Sequence, residues 1–216
     1  MTAREAPVRG NRQRQRTRHA LLDAGQRLFA TRSVDAVTID DIVEQADVAK
    51  GSFYNHFSDK QALADAVWEL VQGDVEFHIY RANQDIADPA MRAVRGFCSV
   101  LRYAKEHPDR LQSLLTLSAR LTTIAHPLNA GLSSDIRHGI EQARFSDIDV
   151  ATGVLIVIGL TRAAVVNAMS EEFEGSIVAF ATDVSAAILR ALGAPLDQVH
   201  EIGKEAARSI LEELSE

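Results

Sequence analysis

The apolar residues of this chain recur at helical intervals almost throughout. In the first such segment the apolar positions are Leu21, Ala24, Leu28 and Phe29. This spacing predicts a first helix over about residues 13–31, a short second helix over about 39–46 and a third over about 50–56. No run alternates with a period of two for long enough to form a strand, so the sequence predicts an all-α fold.

Residues that favour helix ends mark the remaining boundaries. Thr38, followed three residues later by Asp41, has the spacing of a capping box at the start of the second helix. Ser58 precedes a long fourth helix, whose inner side is predicted to carry Val67, Trp68, Val71 and Val75. Further helices are predicted to start near Pro89, Asp109, Pro127 and Asp147, with two more over about 173–192 and 196–214.

The third helix divides into two unlike faces. Phe53 and Phe57 fall on one side of a helical wheel, and Gly51 and Asn55 fall on the opposite side. No acidic residue occurs from 48 to 58. The pattern predicts one aromatic face that is buried and one small, hydrogen-bonding face that is exposed.

Such a helix suits the second position of a helix-turn-helix, in which the inner face is held by the domain and the outer face enters the major groove of DNA. A glycine at position 51 lets the backbone approach the duplex closely. Lysines at 50 and 60 can pair with phosphates, and the polar groups of Ser52, Tyr54 and Asn55 can hydrogen-bond to phosphates or base edges.

Charge is unevenly distributed. Residues 1–60 hold ten Lys and Arg against eight Asp and Glu, a balance of +2, whereas residues 61–216 hold thirteen against twenty-two, a balance of −9. The first segment is richest in arginine, at positions 9, 12, 14, 16 and 18. A basic arm on an acidic body favours a localised contact with a polyanion such as DNA, the alternative being a disordered, solubilising tail.

The run TIDDIVEQADVAKGSFYNHFSDKQAL, residues 38–63, resembles the signature of the TetR family of transcriptional regulators, and TRHALLDAGQRLFAT upstream resembles the family's first helix. The resemblance covers about residues 16–66. It implies that Thr38 and Lys60 contact phosphates. It also implies that the DNA-facing end of the third helix is lined by Lys50, Gly51, Ser52, Tyr54, Asn55 and His56. For His56, a packed structural role is the open alternative.

Two features depart from the family pattern. Asp40 and Asp41 lie near the end of the second helix that should approach phosphate, so we expect their side chains to point sideways. Asp47 stands at a turn position where the family usually has glycine. Because aspartate tolerates a left-handed conformation better than most residues do, the turn is expected to form.

The resemblance further implies three regions: a basic disordered arm over 1–12, a helix-turn-helix DNA-binding domain over 13–57 and a ligand-binding and dimerisation domain over 58–216. Helices near 147–170 and 173–192 would pair with their copies in a homodimer. They are rich in small residues, which equally suits packing within one chain.

A small-molecule pocket inside the second domain is likewise implied. Polar or aromatic residues on otherwise apolar helices are the candidate ligand contacts: Trp68, Arg102, Tyr103, Arg120, Arg162 and Asn167. Each is also compatible with a buried ion pair, an interface or the surface.

The predicted function is therefore a ligand-responsive DNA-binding regulator, a repressor released from its operator by an inducer. The competing hypotheses are an all-α enzyme and a helical scaffold. We expect no enzyme activity, metal or cofactor, because the seven histidines are scattered and no glycine-rich phosphate loop occurs. The single cysteine, Cys98, and an apolar run of about ten residues near 151–160, short of the ~20 that a membrane span needs, favour a cytoplasmic protein without a membrane segment.

Overall fold

The computed structural model describes residues 6–117 and 129–212. Every element in this part of the chain is helical, which confirms the all-α prediction. In chain order the helices are α1 Ala6–Thr31, a 3-10 turn Val34–Ala36, α2 Ile39–Gln45, α3 Lys50–Tyr54, α4 Lys60–Ala82, α5 Pro89–Glu106, α6 Pro108–Leu117, α7 Ala130–Glu141, α8 Val150–Ala168, α9 Ile177–Ala191 and α10 Val199–Leu211.

The described residues up to 71, with 109–117, form one compact unit. Within it α1 packs on α2, and α2 packs on α3. The core is apolar and includes the fully buried side chains of Leu21, Phe29, Ile42, Phe53 and Leu63. This first unit is a small helical domain whose centre is aromatic and aliphatic.

The remaining described residues, 72–108 and 129–212, form the second unit. Its central helix is α5, which packs against α7, α8, α9 and α10. Arg144 donates from Nε and from a terminal guanidinium nitrogen to the two carboxylate oxygens of Asp88, at 2.9 Å each, a bidentate pair of favourable geometry. Cys98 is fully buried, and burial raises the pKa of its thiol to about 12.

The first helix and the domain boundary differ from the sequence prediction. Helix α1 begins at Ala6, so residues 6–12 are helical rather than a disordered arm; a proline at position 7, the second residue of the helix, is compatible with a first helical turn. The boundary between units falls inside α4, after Val71, rather than at residue 57. The first half of α4 contributes Leu63, Val67 and Val71 to buried packing, which ties it to the helix-turn-helix.

Other boundaries follow local capping. Helix α9 begins at Ile177 rather than near 173, because Gly175 takes a φ of 103° and the Ser176 hydroxyl accepts a hydrogen bond from the Ala179 N–H at 3.3 Å. The predicted start near Pro127 lies outside the described residues, and the helix that follows begins at Ala130.

Helix α8 is strongly apolar but only partly buried. It has 19 residues and is apolar enough to meet the length and composition criteria for a membrane span, the one such helix among the described residues. Only 28% of its apolar stretch is buried, so a large part of this apolar helix is exposed. Leu155 and Val166 are the large apolar side chains exposed on it.

Candidate nucleic-acid interface

Thr38 and Asp41 fix the start of α2 as the sequence predicted. The Asp41 N–H donates to Thr38 Oγ1 at 3.1 Å, and the Thr38 N–H donates to Asp41 Oδ2 at 2.9 Å. These hydrogen bonds, from the backbone and the hydroxyl group of Thr38 and from Arg32, hold the pKa of the Asp41 carboxyl below its ordinary value. The Asp41 carboxylate is therefore directed into the cap, and Thr38 itself is exposed at the start of α2.

The turn after α2 has the predicted left-handed residue. Asp47 has a φ of 52°, and the Val48 N–H donates to the carbonyl of Val43 at 3.0 Å. This six-to-one bond with a left-handed residue is a Schellman arrangement, which ends the helix and redirects the chain. Asp47 therefore forms the turn at a position where the family usually has glycine.

Helix α3 divides as predicted. Phe53 is fully buried and Phe57 is 6% exposed, with ring centroids 5.9 Å apart. Gly51 and Asn55 on the opposite side are exposed, and Tyr54 is 54% exposed. The regular helix ends at Tyr54 rather than 56, with Asn55 as its C-cap. Three of the predicted DNA contacts, Gly51, Tyr54 and Asn55, are therefore accessible on this side of α3.

The lysine that opens α3 is already paired. Lys50 Nζ lies 2.7 Å from Asp40 Oδ1, and both side chains are largely exposed. The hydrogen bond and charge of Asp40 raise the pKa of Lys50. Asp40 thus turns toward α3, whereas its neighbour Asp41 turns into the cap.

Lys60 has a structural contact that the sequence did not reveal. Its Nζ donates to the carbonyl oxygens of Asp35 and Val37, at 3.1 and 3.0 Å. An ammonium group has three hydrogens, so one remains for a phosphate. Arg32, which the sequence analysis also missed, binds the Ala36 carbonyl and, at 3.2 Å, Asp41 Oδ2. Together these two cations hold the segment that leads into α2.

We expect Lys60→Met to weaken binding to all DNA sequences and to lower the melting temperature, since two carbonyls lose a charged donor. The loss of stability should be about 0.5–1.5 kcal/mol, and the slope of log affinity against log salt should fall by about 1 if the third hydrogen reaches a phosphate. Lys204→Met, on an exposed part of α10, is the matched control. An unchanged melting temperature would show that the carbonyl contacts contribute nothing.

His56 lies at the border of the two faces beside basic residues of α1. Burial, followed by the charges of Arg14 and Arg18, lowers the pKa of His56. The Arg18 guanidinium lies 5.5 Å from the centroid of the Phe57 ring. Two arginines of α1 are thus next to the end of α3, where their charges, with burial, disfavour the protonated form of His56.

The predicted ligand residues are scattered. Trp68 is half-buried and belongs to the first unit, and Arg120 lies outside the described residues. Arg102 bonds to Glu106 Oε1 at 2.8 Å and to the Ile210 carbonyl at 3.1 Å, so it ties α5 to α10. Arg162 and Asn167 are exposed on α8. Within the second unit, Arg102 thus makes an interhelical contact, and Arg162 and Asn167 lie on the surface.

Tyr103 is the exception, because it is fully buried in the second unit within a polar aromatic cluster. Its hydroxyl donates to Asp74 Oδ2 at 2.9 Å. The ring centroids of His78 and His107 lie 5.2 and 4.8 Å from that of Tyr103. His78 Nδ1 lies 2.7 Å from the Asp74 carbonyl, so Nδ1 carries the hydrogen. Sequence reasoning missed the two histidines, since they are scattered along the chain. No cluster of three metal-binding side chains occurs in the described ranges.

Comparison with known proteins identifies the helix-turn-helix. The model of bacterial regulatory proteins of the tetR family matches residues 21–67, from the second half of α1 into α4. This part of the chain, residues 21–67, is similar to the tetR family of bacterial regulatory proteins. The family match thus covers the surface described above.

Curated HTH-type transcriptional repressors match part of the chain. The chain is 30% identical to the HTH-type transcriptional repressor DhaR of Mycobacterium sp. (strain GP1) over 39% of its own length and 42% of that protein. It is 26% identical to the HTH-type transcriptional repressor KstR2 of Rhodococcus jostii (strain RHA1), over 60% of its own length and 54% of that protein. The matched part therefore spans about half the length of these relatives.

Solved structures are similar over more of the chain. The crystal structure of RolR in complex with resorcinol is 26% identical, covers 89% of this chain and 95% of its own, and has a TM-score of 0.61. A TetR-type structure from Shewanella sp. PV-4 has a TM-score of 0.74 over 83% of this chain, but at 17% identity it shows the fold alone. The TetR fold thus extends beyond the residues that the family model matches.

Proposed function

We propose that the protein is a ligand-responsive transcriptional repressor that binds operator DNA through α2, the turn and α3. The observation that carries this function is the division of α3, with Phe53 buried and Gly51 and Asn55 exposed at the end that Lys50 opens. An outer face of this kind can enter the major groove while cations nearby pair with phosphates. The relatives DhaR and KstR2 are transcriptional repressors, which favours this function over an enzyme or a scaffold.

The direct test is binding of the full chain to the DNA that flanks its own coding region, measured across salt concentrations. A steep loss of affinity with salt is expected, because each phosphate contact releases counterions. Absence of binding at low salt would overturn the DNA-binding role. Since operator DNA lies in the bacterial cytoplasm, we propose that the protein acts there.

Release by a small molecule is the second part of the proposal. RolR has been crystallised with resorcinol, which supports an organic effector for this chain as well. Tyr103 is the predicted ligand residue that we retain, because it lies inside the second unit beside two imidazoles. A thermal-shift screen of small organic compounds, resorcinol included, should find one that raises the melting temperature and lowers operator affinity. A compound that binds without any effect on the operator would count against release.

We further propose a homodimer formed through α8 and α9. The exposed face of α8 carries Leu155 and Val166, at 48% and 53% exposure, with Gly159 and Arg162 on the same side. Apolar surface of this extent on one helix favours association with a second copy. Two copies would supply the two half-sites that a short recognition helix needs for affinity. The small residues of α8 are divided between the two predicted roles: Gly153 and Ala164 are buried within the chain, whereas Gly159 and Ala163 are exposed and available to a second copy.

Leu155→Asp is expected to convert the dimer to a monomer and to weaken operator binding, because a carboxylate would be buried in the apolar interface. Sedimentation or size-exclusion with light scattering measures the mass. Leu196→Asp is the matched control, since Leu196 is 75% exposed outside α8 and α9. A Leu155→Asp protein that remains dimeric would contradict this interface.

A further inference from the structure

Asp40 occupies an unusual position for a protein that binds a polyanion. It lies in the first turn of α2, and its Oδ1 is 2.7 Å from Nζ of Lys50, the first residue of α3. The side chains are 73% and 54% exposed, respectively. The lysine best placed at the start of the recognition helix therefore has a carboxylate bound to it before DNA arrives.

The neighbouring acidic residues do not share this role. Asp41 is engaged by the Thr38 N–H and by Arg32, so its charge stays within the cap. Glu44 lies one turn further along α2, on the same side as Asp40, and is exposed. Of the acidic side chains of α2, Asp40 is thus the one that contacts the recognition helix, α3.

We propose that Asp40 is a specificity-determining residue that competes with DNA phosphate for Lys50. This inference rests on the proposed DNA-binding function and adds a regulation of its affinity. A phosphate that approaches Lys50 must displace the Asp40 carboxylate and then lie beside it, which is a like-charge repulsion. The lysine stem is flexible, so the exchange needs only rotation of its side chain.

The competition acts most strongly on non-specific binding. Non-specific complexes depend almost entirely on phosphate contacts, whereas a specific complex also has base contacts that Asp40 does not oppose. Asp40 therefore lowers affinity for random DNA more than affinity for the operator. The result is a larger ratio between the two affinities.

The test compares Asp40→Asn with Glu44→Gln, which removes one negative charge from the same side of the same helix. Affinities of the full chain for the operator duplex and for a random duplex of equal length are measured by fluorescence anisotropy across salt concentrations. Asp40→Asn is expected to strengthen binding to the random duplex about 3- to 10-fold, to strengthen operator binding less and to steepen the salt dependence. Glu44→Gln should change both affinities by a smaller and equal factor.

A second pair of variants isolates the contact. In a Lys50→Gln background, Asp40→Asn should no longer affect the random duplex beyond the effect of Glu44→Gln. Equal effects of Asp40→Asn and Glu44→Gln in the wild-type background would overturn the inference while the proposed function stands. Weaker binding by Asp40→Asn would also overturn it. If the wild type binds neither duplex at low salt, the proposed function and this inference fail together.

Discussion

Phe53→Ala is expected to abolish operator binding by unfolding the first unit. The Phe53 side chain is fully buried, and its ring lies 5.5 Å from Tyr54 and 5.9 Å from Phe57, centroid to centroid. Truncation of a buried phenylalanine to alanine costs about 3–5 kcal/mol. Because α3 has five residues, it has little stability of its own and depends on this anchor.

Chemical denaturation followed by circular dichroism measures the loss of stability, and anisotropy measures the loss of DNA binding. Phe53→Leu is the matched variant, since it keeps an apolar side chain at the site and should retain most of the stability and binding. Wild-type operator affinity in Phe53→Ala would show that the buried face of α3 does not position the recognition surface.

Gly51→Ala is expected to lower operator affinity as well, but without loss of stability. A Cβ at Gly51 meets no atom within 4 Å, so the free protein accepts a methyl group there. Alanine in place of a helical glycine stabilises by about 0.5–1 kcal/mol. In the groove, however, the same methyl group holds the backbone away from the duplex. An overpacking cost of about 1–3 kcal/mol corresponds to a loss of roughly 5- to 150-fold in affinity.

The matched control for this prediction is Gly73→Ala. Gly73 is also helical and exposed, and its Cβ would likewise meet nothing within 4 Å, but it lies in α4 beyond the helix-turn-helix. Both variants should melt at or above the wild-type temperature, and only Gly51→Ala should lose operator affinity. Equal operator affinities in the two variants would remove Gly51 from the interface.

The two substitutions separate what the domain needs in order to fold from what it needs in order to bind. Phe53 acts through burial, so its removal changes the free energy of unfolding first and binding as a consequence. Gly51 touches no core atom, so its effect on binding cannot pass through stability. Together they test whether the two faces of α3 have the separate roles that we assign to them.

Local features of the helix-turn-helix were determined by the sequence alone. The capping box of Thr38 and Asp41, the left-handed Asp47 and the buried pair of Phe53 and Phe57 all follow from residues no more than six apart. Over such distances, backbone geometry sets which groups meet. A residue type and a spacing are then enough to predict the contact.

Contacts between distant residues were decided only by the tertiary structure. Lys60 binds carbonyls 25 and 23 residues away, Lys50 pairs with Asp40 across the turn, and Tyr103 donates to a carboxylate 29 residues away. Helical periodicity showed that Arg162 lies on one face of α8, but not that this face is exposed. The physical reason is that periodicity defines the faces of a helix, whereas the packing of the other helices decides which face is covered and which partner a long side chain reaches.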